Sequence, residues 1–373
     1  MSIEQPVSSI DHIGLPNAAP STSRRSFLAG AGGAAVALLG GRLTRLDNLL
    51  VGDALAADTG CPPATFAPLP AGALGPQLNA EGYFVGRISG DLYWVTDSVY
   101  IAMFLTTRHG VVLVDAPPSI GHNLLRAISA VTEANGRPSR VTHLVYSHSH
   151  ADHTGASFLF GSDVVRVGHR ICRELMLRDN DPHRPPPTVT FDDHHVLSVG
   201  GEQLHLDYHG PNHSPDNIFI HLPDHDTLML VDIVNPGWVP IYQSNLTEDI
   251  PGYLDAPALA LESAWKQYVG GHVGRLGTRA DITLHQQYMA DVDASIRTTL
   301  ATLDPTPFFV KYGANGWAAT RGYLDAVADT AAVPVIEKYT GVLAAADVFT
   351  ASTAFQVMQS IRLDLGAGLF VHP

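Results

Sequence analysis

Hydrophobic positions along this chain follow two periods, which predict strands in one part and helices in another. Short apolar and β-branched runs separated by turn signals predict a strand meander over residues 83–114. Residues 119–135 instead carry apolar side chains at helical spacing and stop at Gly136, which predicts a helix packed on that sheet. Strand and helix segments then alternate up to about Gly271. The periodicity alone therefore indicates a fold of mixed α and β structure.

The end of the chain has a different pattern. Three segments consist mostly of helix formers with few turn signals, and the last repeats apolar residues at helical spacing, so it buries one face. These segments are 281–303, 316–338 and 346–365. An apolar stripe usually belongs to a core, so we expect these helices to complete the main fold or to form a dimer contact. The alternative is that they cover a cleft and help to select a substrate.

The densest group of chemically active residues comes directly after the apolar run 141–146. His148, His150, Asp152 and His153 lie within six residues at the exit of a predicted buried strand. Imidazole nitrogens with one carboxylate oxygen suit Zn²⁺, and two ions can share such a set. A chance cluster is the alternative, because the chain has 19 His in 373 residues. A strand that leads directly into such residues is typical of a metal site.

Three residues downstream occur in the same kind of setting. His213 lies in a turn-rich loop before a strand-like run, Asp232 ends the apolar run 227–231, and His272 follows two glycines that permit a close backbone approach. Each alone is weak evidence, because a lone His or Asp at a strand end is more often a hydrogen-bonded structural residue. Their order and their shared setting predict that they join the first cluster.

Together with Leu113-Val-Asp-Ala116, these motifs resemble those of the metallo-β-lactamase superfamily over roughly residues 80–290. The resemblance implies an αββα sandwich, an α/β fold in which two sheets pack between outer helices, here with a helical C-terminal extension. It also implies a division of the chain into three parts. These are a leader over 1–57, a metallo-β-lactamase-like domain over 58–290 and the helical extension over 291–373.

The resemblance gives each candidate residue a role. The implied ligands are His148, His150 and His213 for a first ion, Asp152, His153 and His272 for a second, and Asp232 for both. Asp115 matches a family aspartate that supports the ligands from behind. The implied cofactor is two Zn²⁺ per chain, although other divalent metals suit the same ligands.

Two departures from the lactamases narrow the subfamily. Asp232 stands where those enzymes carry a cysteine ligand, and His153 stands where they carry a basic residue that does not bind metal. The set of ligands is therefore similar to that of glyoxalase-, lactonase- and phosphodiesterase-like members. In such a site, a hydroxide shared by the two ions attacks the substrate. Asp152, the implied catalytic residue, accepts the proton of the nucleophile and passes it on.

The stretch after Asp232 bears on the small-molecule substrate. Residues 233–240 contain no cation, whereas the lactamases hold the carboxylate of the drug with a lysine in this region. Asn235 and Trp238 are candidate substrate contacts, and Tyr242 and Trp265 also suggest an aromatic wall, although packing explains them equally well. We therefore expect hydrolysis of a neutral ester, lactone or amide. The alternatives are β-lactam hydrolysis and a non-catalytic zinc-binding accessory protein.

The N-terminal segment resembles a twin-arginine export signal. Ser23-Arg-Arg-Ser-Phe-Leu28 contains the arginine pair, residues 29–41 form a short glycine-rich apolar stretch, and Ala54-Leu-Ala56 is a candidate processing site. The resemblance implies that the twin-arginine machinery exports the folded protein to the periplasm or out of the cell. The alternative is a chance arginine pair in a disordered tail.

Composition excludes several classes of protein. Hydrophobic residues make up 45% of the chain and charged residues 16%, so the chain folds around a core. A net charge of −14 argues against nucleic acid or an anionic membrane as partner, because both need a basic surface. We also expect no stable membrane span. Cys61 and Cys172 are the only cysteines. They provide no disulfide framework, and Cys172 fits a helix core, although a single bridge between the two is the alternative.

Overall fold

Two separate β-sheets form the centre of the fold in the computed structural model, which describes residues 65–364. The first sheet has seven strands in the order β1 to β7, and the second has five in the order β12-β11-β10-β9-β8. The strands of the first sheet are β1 Phe84–Ser89, β2 Leu92–Thr96, β3 Ile101–Thr107, β4 Gly110–Val114, β5 Val141–Val145, β6 Val165–His169 and β7 Val189–Phe191. Those of the second are β8 His194–Val199, β9 Glu202–Asp207, β10 Phe219–Leu222, β11 Thr227–Met229 and β12 Gln267–Val269.

Each sheet changes from antiparallel to parallel pairing along its width. Strands β1 to β4 pair as an antiparallel meander, and β4, β5, β6 and β7 then pair in parallel. In the second sheet β8 to β11 are antiparallel, and β11 pairs with β12 in parallel. Parallel neighbours end at the same edge of a sheet, so the loops that follow them lie close together.

Helices lie between and after the strands in the chain, and most of them cover the outer faces of the sheets. In chain order they are α1 His122–Asn135, α2 Ala151–Thr154, α3 Arg170–Asp179, α4 Ile250–Glu262, α5 Arg279–Thr302, α6 Thr306–Tyr312, α7 Gly316–Tyr339 and α8 Ala346–Leu363. The helix α1 ends at Gly136, whose φ of 62° is the left-handed conformation that glycine adopts without strain. The helix α5 begins with a capping box between Thr278 and Asp281, which satisfies backbone N–H groups at its start.

Three apolar layers hold these elements together. The first lies between the sheets, where side chains such as Met103 of β3 meet side chains such as Leu204 of β9. The second lies between the first sheet and helices α1 and α3, and it includes Leu124 and Cys172. The third lies between the second sheet and helices α4, α5, α7 and α8. Helix, sheet, sheet and helix layers follow in that order, so the predicted αββα fold is confirmed.

The C-terminal helical region is present and belongs to the outer layer of the second sheet. Its helices share one buried cluster with that sheet, in which Val327 of α7 and Val357 of α8 lie with Leu228 of β11. Residues 66–364 belong to one compact unit. The domain boundary predicted at residue 290 falls inside α5, a continuous helix of 24 residues. The reason is that α5 packs on the second sheet and on α7 at once.

The predicted bounds of several elements agree closely with the structure. The helix predicted over 119–135 begins at His122, because the chain first makes a turn at Gly121, where φ is 49°. The three helices predicted at the C-terminal end correspond to α5, α7 and α8, and each begins and ends within two residues of its predicted limits. The N-terminal leader over 1–57 and Cys61 lie outside the described residues. Within residues 65–364, no helix is both long and apolar enough to cross a membrane.

Candidate metal centre and adjoining cavity

All seven predicted ligands lie in segments that follow or connect strands, at the edge where parallel strands of both sheets end. His148 and His150 follow β5, Asp152 and His153 lie in α2, His213 lies between β9 and β10, Asp232 follows β11, and His272 follows β12. The fold therefore brings together residues that are up to 124 positions apart (272 − 148). Charged and polar groups at the carboxyl ends of strands are a common setting for ligand sites.

Four of these residues form the first ligand group. They are His148, His150, His213 and Asp232, and one ligand atom from each lies within 4.8 Å of the others. The shortest contacts join His213 Nε2 to His150 Nδ1 and to Asp232 Oδ2, each at 3.1 Å. His148 Nε2 lies 3.5 Å from the same Asp232 oxygen. Three imidazoles and one carboxylate thus converge on a single point.

The second ligand group consists of Asp152, His153 and His272, again within 4.8 Å of one another. His153 Nε2 lies 3.1 Å from His272 Nε2, and Asp152 Oδ2 lies 3.7 Å from each of these nitrogens. Asp232 joins the two groups, because its Oδ2 is 3.2 Å from His153 Nε2 and its Oδ1 is 3.0 Å from His272 Nε2. Its position matches the bridging role that the sequence predicts.

Glycine permits the close approach that places His272. Gly271 has a φ of 84°, and a Cβ built on it would lie 2.5 Å from Cγ1 of Val231. Any larger residue would therefore push the His272 segment away from the residue that precedes Asp232. The Gly271 carbonyl also accepts a hydrogen bond of 2.7 Å from the Ile101 N–H, which fastens this loop to β3.

Burial and neighbouring charges shift the pKa values of three residues in the two groups. Burial would raise the pKa of Asp232, but His153, His272 and His213 hold it well below its usual range. Burial and the neighbouring imidazoles hold the pKa of His148 well below its usual range, so this ring is neutral. Burial would also lower the pKa of His153, yet Asp232 and other carboxylates raise it to about 9. The centre therefore contains an ionised carboxylate, Asp232, beside one imidazole that is held neutral, His148.

Unpartnered buried atoms show that these side chains fit a metal ion. His148 Nε2 and Asp232 Oδ1 are buried and have no hydrogen-bond partner among the described residues. Such atoms are costly unless another group satisfies them. Neutral imidazole nitrogens and a carboxylate are the donors that divalent zinc and similar ions take. The donor set at the centre therefore fits one or more divalent ions.

Asp115 supports the cluster from behind. It is fully buried with a φ of 61°, and its two carboxylate oxygens accept hydrogen bonds from the Ser147 N–H at 2.8 Å and the Ser147 hydroxyl at 2.7 Å. Ser147 Oγ in turn lies 3.0 Å from His148 Nδ1, which turns Nε2 of that ring toward the ligand group. Burial raises the pKa of Asp115 to about 6, although His153 and Ser147 oppose the rise.

A cavity of about 660 Å³ opens beside the centre. Five of the predicted ligands line it: His150, Asp152, His213, Asp232 and His272. The rest of its lining includes Val99, Tyr100, Ile241, Tyr242, Asn245 and Leu246. No lysine or arginine of the described chain is among its lining residues. The cavity therefore combines a polar floor with a mainly apolar, uncharged wall.

Tyr100 is a cavity residue that the sequence reasoning did not identify. Its hydroxyl donates a hydrogen bond of 3.4 Å to Asp152 Oδ2, and its ring lies against the ring of His272 with centroids 4.6 Å apart. Burial, together with Asp152, raises the pKa of Tyr100 above its usual range, so the phenol stays protonated and acts as a donor. A tyrosine at the start of a buried strand has no distinguishing sequence signal.

The two predicted substrate contacts lie elsewhere. Asn235 is buried and donates from Nδ2 to Asn245 Oδ1 at 3.0 Å, while Trp238 Nε1 donates to the Ala73 carbonyl at 3.1 Å. Neither is among the residues that line the cavity. Trp265 belongs to the core, with 3% exposure. Of the aromatic residues suggested by the sequence, only Tyr242 lies at the cavity.

A left-handed turn forms part of the apolar wall. Four consecutive non-glycine residues, 243–246, have φ angles of 51°, 54°, 61° and 57°. Each residue in this conformation costs about 1–2 kcal/mol relative to a right-handed one. The turn closes through a hydrogen bond of 2.6 Å from the Asn245 N–H to the Ile241 carbonyl. Backbone strain of this kind persists only where surrounding contacts determine the conformation, and it occurs preferentially at functional sites.

Comparison with known proteins agrees with this geometry. The family described as the metallo-beta-lactamase superfamily matches residues 95–266, a span that contains every predicted ligand except His272. The 2,4-dinitroanisole O-demethylase subunit alpha of Nocardioides sp. (strain JS1661) is 26% identical over 244 residues, which are 64% of this chain and 68% of that protein. The Metallo-beta-lactamase type 2 of Elizabethkingia meningoseptica is 25% identical over 138 residues, which are 36% of this chain and 53% of that protein.

Among solved structures, a metallo-beta-lactamase from Pontibacter korlensis aligns with 55% of this chain and 97% of its own length. The TM-score is 0.46 and the identity 21%. The family match covers the chain from β2 almost to β12, and so contains most of both sheets. Residues 95–266 therefore form a domain of the metallo-beta-lactamase superfamily.

Proposed function

We propose that this protein is a metal-dependent hydrolase that cleaves an uncharged ester, lactone or amide. One observation carries the proposal. Two ligand groups joined by Asp232 form the floor of a cavity of about 660 Å³ whose wall contains no cationic side chain. The floor supplies hydrolytic chemistry and the wall selects against charged substrates.

The proposed ligands are the seven residues of the two groups, with two Zn²⁺ or similar ions per chain. When bound, such ions supply an activated water as nucleophile and an electrophile for the scissile oxygen. The other roles belong to side chains. Asp152, with 42% of its side chain exposed to the cavity, accepts the proton of the attacking water at Oδ2 and returns it to the leaving group. Tyr100 holds the same oxygen in place through its hydroxyl.

Asp115 and Ser147 keep the ligands oriented during this reaction. The Ser147 hydroxyl bridges from Asp115 to Nδ1 of His148, so the ring is fixed with Nε2 toward the cluster. A ligand held in this way loses little further freedom when it binds an ion. The mechanism needs no nucleophilic side chain. Cys172 is fully buried in the apolar layer beneath α3, and burial raises the pKa of its thiol well above the usual range.

β-Lactam hydrolysis is less well supported. A β-lactam drug carries a carboxylate, and burying an anion without a partner is costly. No lysine or arginine in the described part of the chain lines the cavity, so its apolar wall offers the carboxylate no cationic partner. An uncharged substrate avoids this cost.

Cleavage of an aryl alkyl ether is a second candidate function. It is favoured by the relative from Nocardioides, whose name states O-demethylation of 2,4-dinitroanisole, an uncharged aromatic ether. Addition of water to such an ether gives a phenol and methanol, so the reaction needs no oxidant. The apolar side of the cavity, which includes Tyr242 and Leu246, suits an aromatic ring.

A substrate panel distinguishes these functions. The zinc-loaded full chain is incubated with a phenyl ester, a lactone, an anilide, 2,4-dinitroanisole, a penicillin and a phosphodiester, and the products are quantified. We expect turnover of one of the first four and at least 100-fold slower turnover of the penicillin and the phosphodiester. Zinc binding without turnover of any uncharged compound would contradict the proposal and favour the accessory protein.

We also propose that the protein is exported by the twin-arginine machinery. The support is the Ser23–Leu28 pattern, which lies outside the described residues. Replacing both Arg24 and Arg25 by lysine should leave the protein unprocessed inside the cell, with unchanged metal content. Normal export of this double variant, measured by cell fractionation, would contradict the proposal.

A further inference from the structure

We propose that the segment Ile241–Leu246, here called the wall turn, determines substrate selectivity by receiving the apolar group of the substrate. We further propose that Asn245 is the positioning residue that fixes its distance from the metal centre. The effect on selectivity in hydrolysis rests on the proposed function above. The binding of an apolar group at the wall turn does not depend on that function. The chemical class of ligand is an uncharged alkyl or aryl group attached to the scissile bond.

Exposed apolar side chains beside a polar centre are the first observation. Tyr242 is 53% exposed, Leu246 is 61% exposed and Val99 is 53% exposed, and all three line the same space. Apolar side chains that remain exposed around a concave site are a feature of ligand-binding surfaces. Five of the proposed metal ligands line the same cavity, so a bound substrate would place its reactive bond against them and its apolar group against the wall turn.

The left-handed backbone of the wall turn is the second observation. A right-handed turn of equal length would carry residues 243–246 along a path of opposite hand, and so place their side chains differently relative to the centre. The chain nevertheless maintains the unfavourable conformation in four consecutive non-glycine residues. Their conformation is therefore determined by contacts outside the turn.

The side chain of Asn245 provides the most direct of these contacts. Its Oδ1 accepts hydrogen bonds from the Ile241 N–H at 2.7 Å and from Asn235 Nδ2 at 3.0 Å. Its Nδ2 donates to the backbone carbonyl of Asp232 at 2.9 Å. One buried amide thus connects the start of the wall turn to the residue that joins both ligand groups. Asn235, which the sequence suggested as a substrate contact, acts here as a support for Asn245.

The last helix of the chain provides the outer contacts. Ser352 Oγ of α8 accepts a hydrogen bond of 3.1 Å from the Gln243 N–H, and Gln356 Nε2 donates to the Thr247 carbonyl at 3.0 Å. The helix α8 itself supplies none of the residues that line the cavity. It acts on the cavity indirectly, through its hydrogen bonds to the wall turn and to Thr247, the residue that follows it.

Binding without turnover tests the wall turn independently of the reaction. The neutral fluorescent probe N-phenyl-1-naphthylamine is titrated into the metal-free full chain. We expect Leu246→Ala and Tyr242→Ala each to raise the Kd by about 10-fold, because each removes a large apolar contact. The matched control is Leu177→Ala, since Leu177 is similarly exposed, at 52%, but lies in α3 away from the cavity. It should bind the probe as the wild type does. Equal affinity of the wild type and both wall variants would overturn the proposal.

Hydrolysis of a series of 4-nitrophenyl esters, with acyl chains of two to eight carbons, tests selectivity. In the wild type kcat/KM should rise by up to about fourfold per methylene, the effect of burying one CH₂ group. Leu246→Ala should flatten this dependence through KM, because the lost contact is the same in ground and transition states. Probe binding with no cleavage of any ester would contradict the proposed hydrolase alone. Cleavage with an unchanged chain-length dependence in Leu246→Ala would overturn the role of the wall turn alone.

Asn245→Gly tests the positioning role, because glycine adopts a positive φ without strain and the variant loses only the side-chain hydrogen bonds. We expect kcat/KM to fall at least threefold more for the octanoyl ester than for the acetyl ester. An equal loss on both esters would indicate a defect at the metal centre and overturn the positioning role. Asn180→Gly is the matched control, since it makes the same change at a left-handed asparagine that follows α3 and does not line the cavity.

Discussion

The metal centre and the wall turn line one cavity, but they are built in opposite ways. The centre consists of buried or half-buried side chains at strand ends, and its chemistry depends on residue type. The wall turn consists of exposed apolar side chains on a strained backbone, and its position depends on hydrogen bonds from Asn245 and α8. In the proposed enzyme, reactivity thus depends on which residues are present, whereas selectivity depends on backbone conformation.

Asp232→Ala should have the largest effect on the metal side of this comparison. The substitution removes a carboxylate that lies within 3.5 Å of four histidines, so it should lower metal content more than any single histidine change. We expect loss of most bound metal, measured by elemental analysis after dialysis against buffer without chelator. His194→Ala is the control, because that histidine pairs with Asp207 on an exposed strand. Retention of two ions in Asp232→Ala would contradict the bridging role.

Asp152→Asn should have the second-largest effect, on the rate of hydrolysis. It retains the shape and an oxygen ligand but cannot accept a proton, so kcat should fall by roughly 10²–10⁴-fold, the usual effect of losing general acid–base help. Steady-state kinetics on the best ester, with metal content measured in parallel, give the result. Asp163→Asn, at an exposed ion pair with Arg140, is the control. A fall of less than 10-fold with the metal retained would assign the proton transfer to another group.

His285 shows what burial alone does to the pKa of a histidine, because it is not one of the proposed metal ligands and burial is the only cause of its shift. It is buried in α5 like the histidines of the centre, and burial alone lowers its pKa to about 4. The unfolded chain therefore binds a proton near pH 6.5 that the folded chain binds only near pH 4. Its contribution to stability is present above pH 6.5 and is lost as the pH falls through about 4.

The size of this effect is at most about 3 kcal/mol, from 1.36 kcal/mol per pH unit. His285→Gln should reduce the loss of unfolding free energy between pH 7 and pH 4.5, measured by urea denaturation of the metal-free chain at both values. His195→Gln, at a half-buried position in β8, should leave the loss unchanged. Identical pH dependence of His285→Gln and the wild type would show that His285 is not neutral in the folded state.

The double variant Ser352→Ala, Gln356→Ala should have the smallest effect, and it should affect substrate binding at the wall turn only. The first substitution removes a hydrogen bond to the wall turn and the second a hydrogen bond to Thr247, which follows it. Each bond contributes about 0.5–1.5 kcal/mol. We expect KM for the longest ester to rise by 2- to 10-fold, with kcat for the acetyl ester within twofold. Ser360→Ala, on an exposed part of the same helix, is the control. An equal change in kcat for all esters would mean that α8 acts on the metal centre as well.

The sequence predicts the metal side of this molecule better than the wall side. The segment from His148 to His153 can be recognised in the sequence because residues that commonly bind metal follow an apolar run. This pattern is visible without knowledge of the fold. Asp232 and His272 are recognised by the same strand-then-ligand setting. The periods predict only mixed α and β structure, and the αββα order of layers, which the resemblance implies, is confirmed. Secondary structure and ligand-type motifs are local, so short-range patterns are sufficient to predict them.

The wall side could not be predicted in this way. Asn235 and Trp238 follow Asp232 closely in the sequence, but neither lines the cavity, and their side-chain N–H groups donate to Asn245 and to the Ala73 carbonyl. Residues 243–246 have no glycine to signal a positive φ, and their conformation depends on contacts with a helix more than 100 positions away. A backbone conformation imposed by distant contacts has no local sequence pattern.

The contacts of α8 also have a consequence for the order in which the protein is made. The hydrogen bonds from α8 to the wall turn join residues 109 positions apart, and α8 is the last helix of the described chain. Synthesis proceeds from the N-terminus, so the segments that leave the ribosome first can begin to fold first. All seven proposed ligands therefore leave the ribosome before the helix that holds the wall turn. The selectivity proposed for the wall turn is thus the last property to be established as the chain is made.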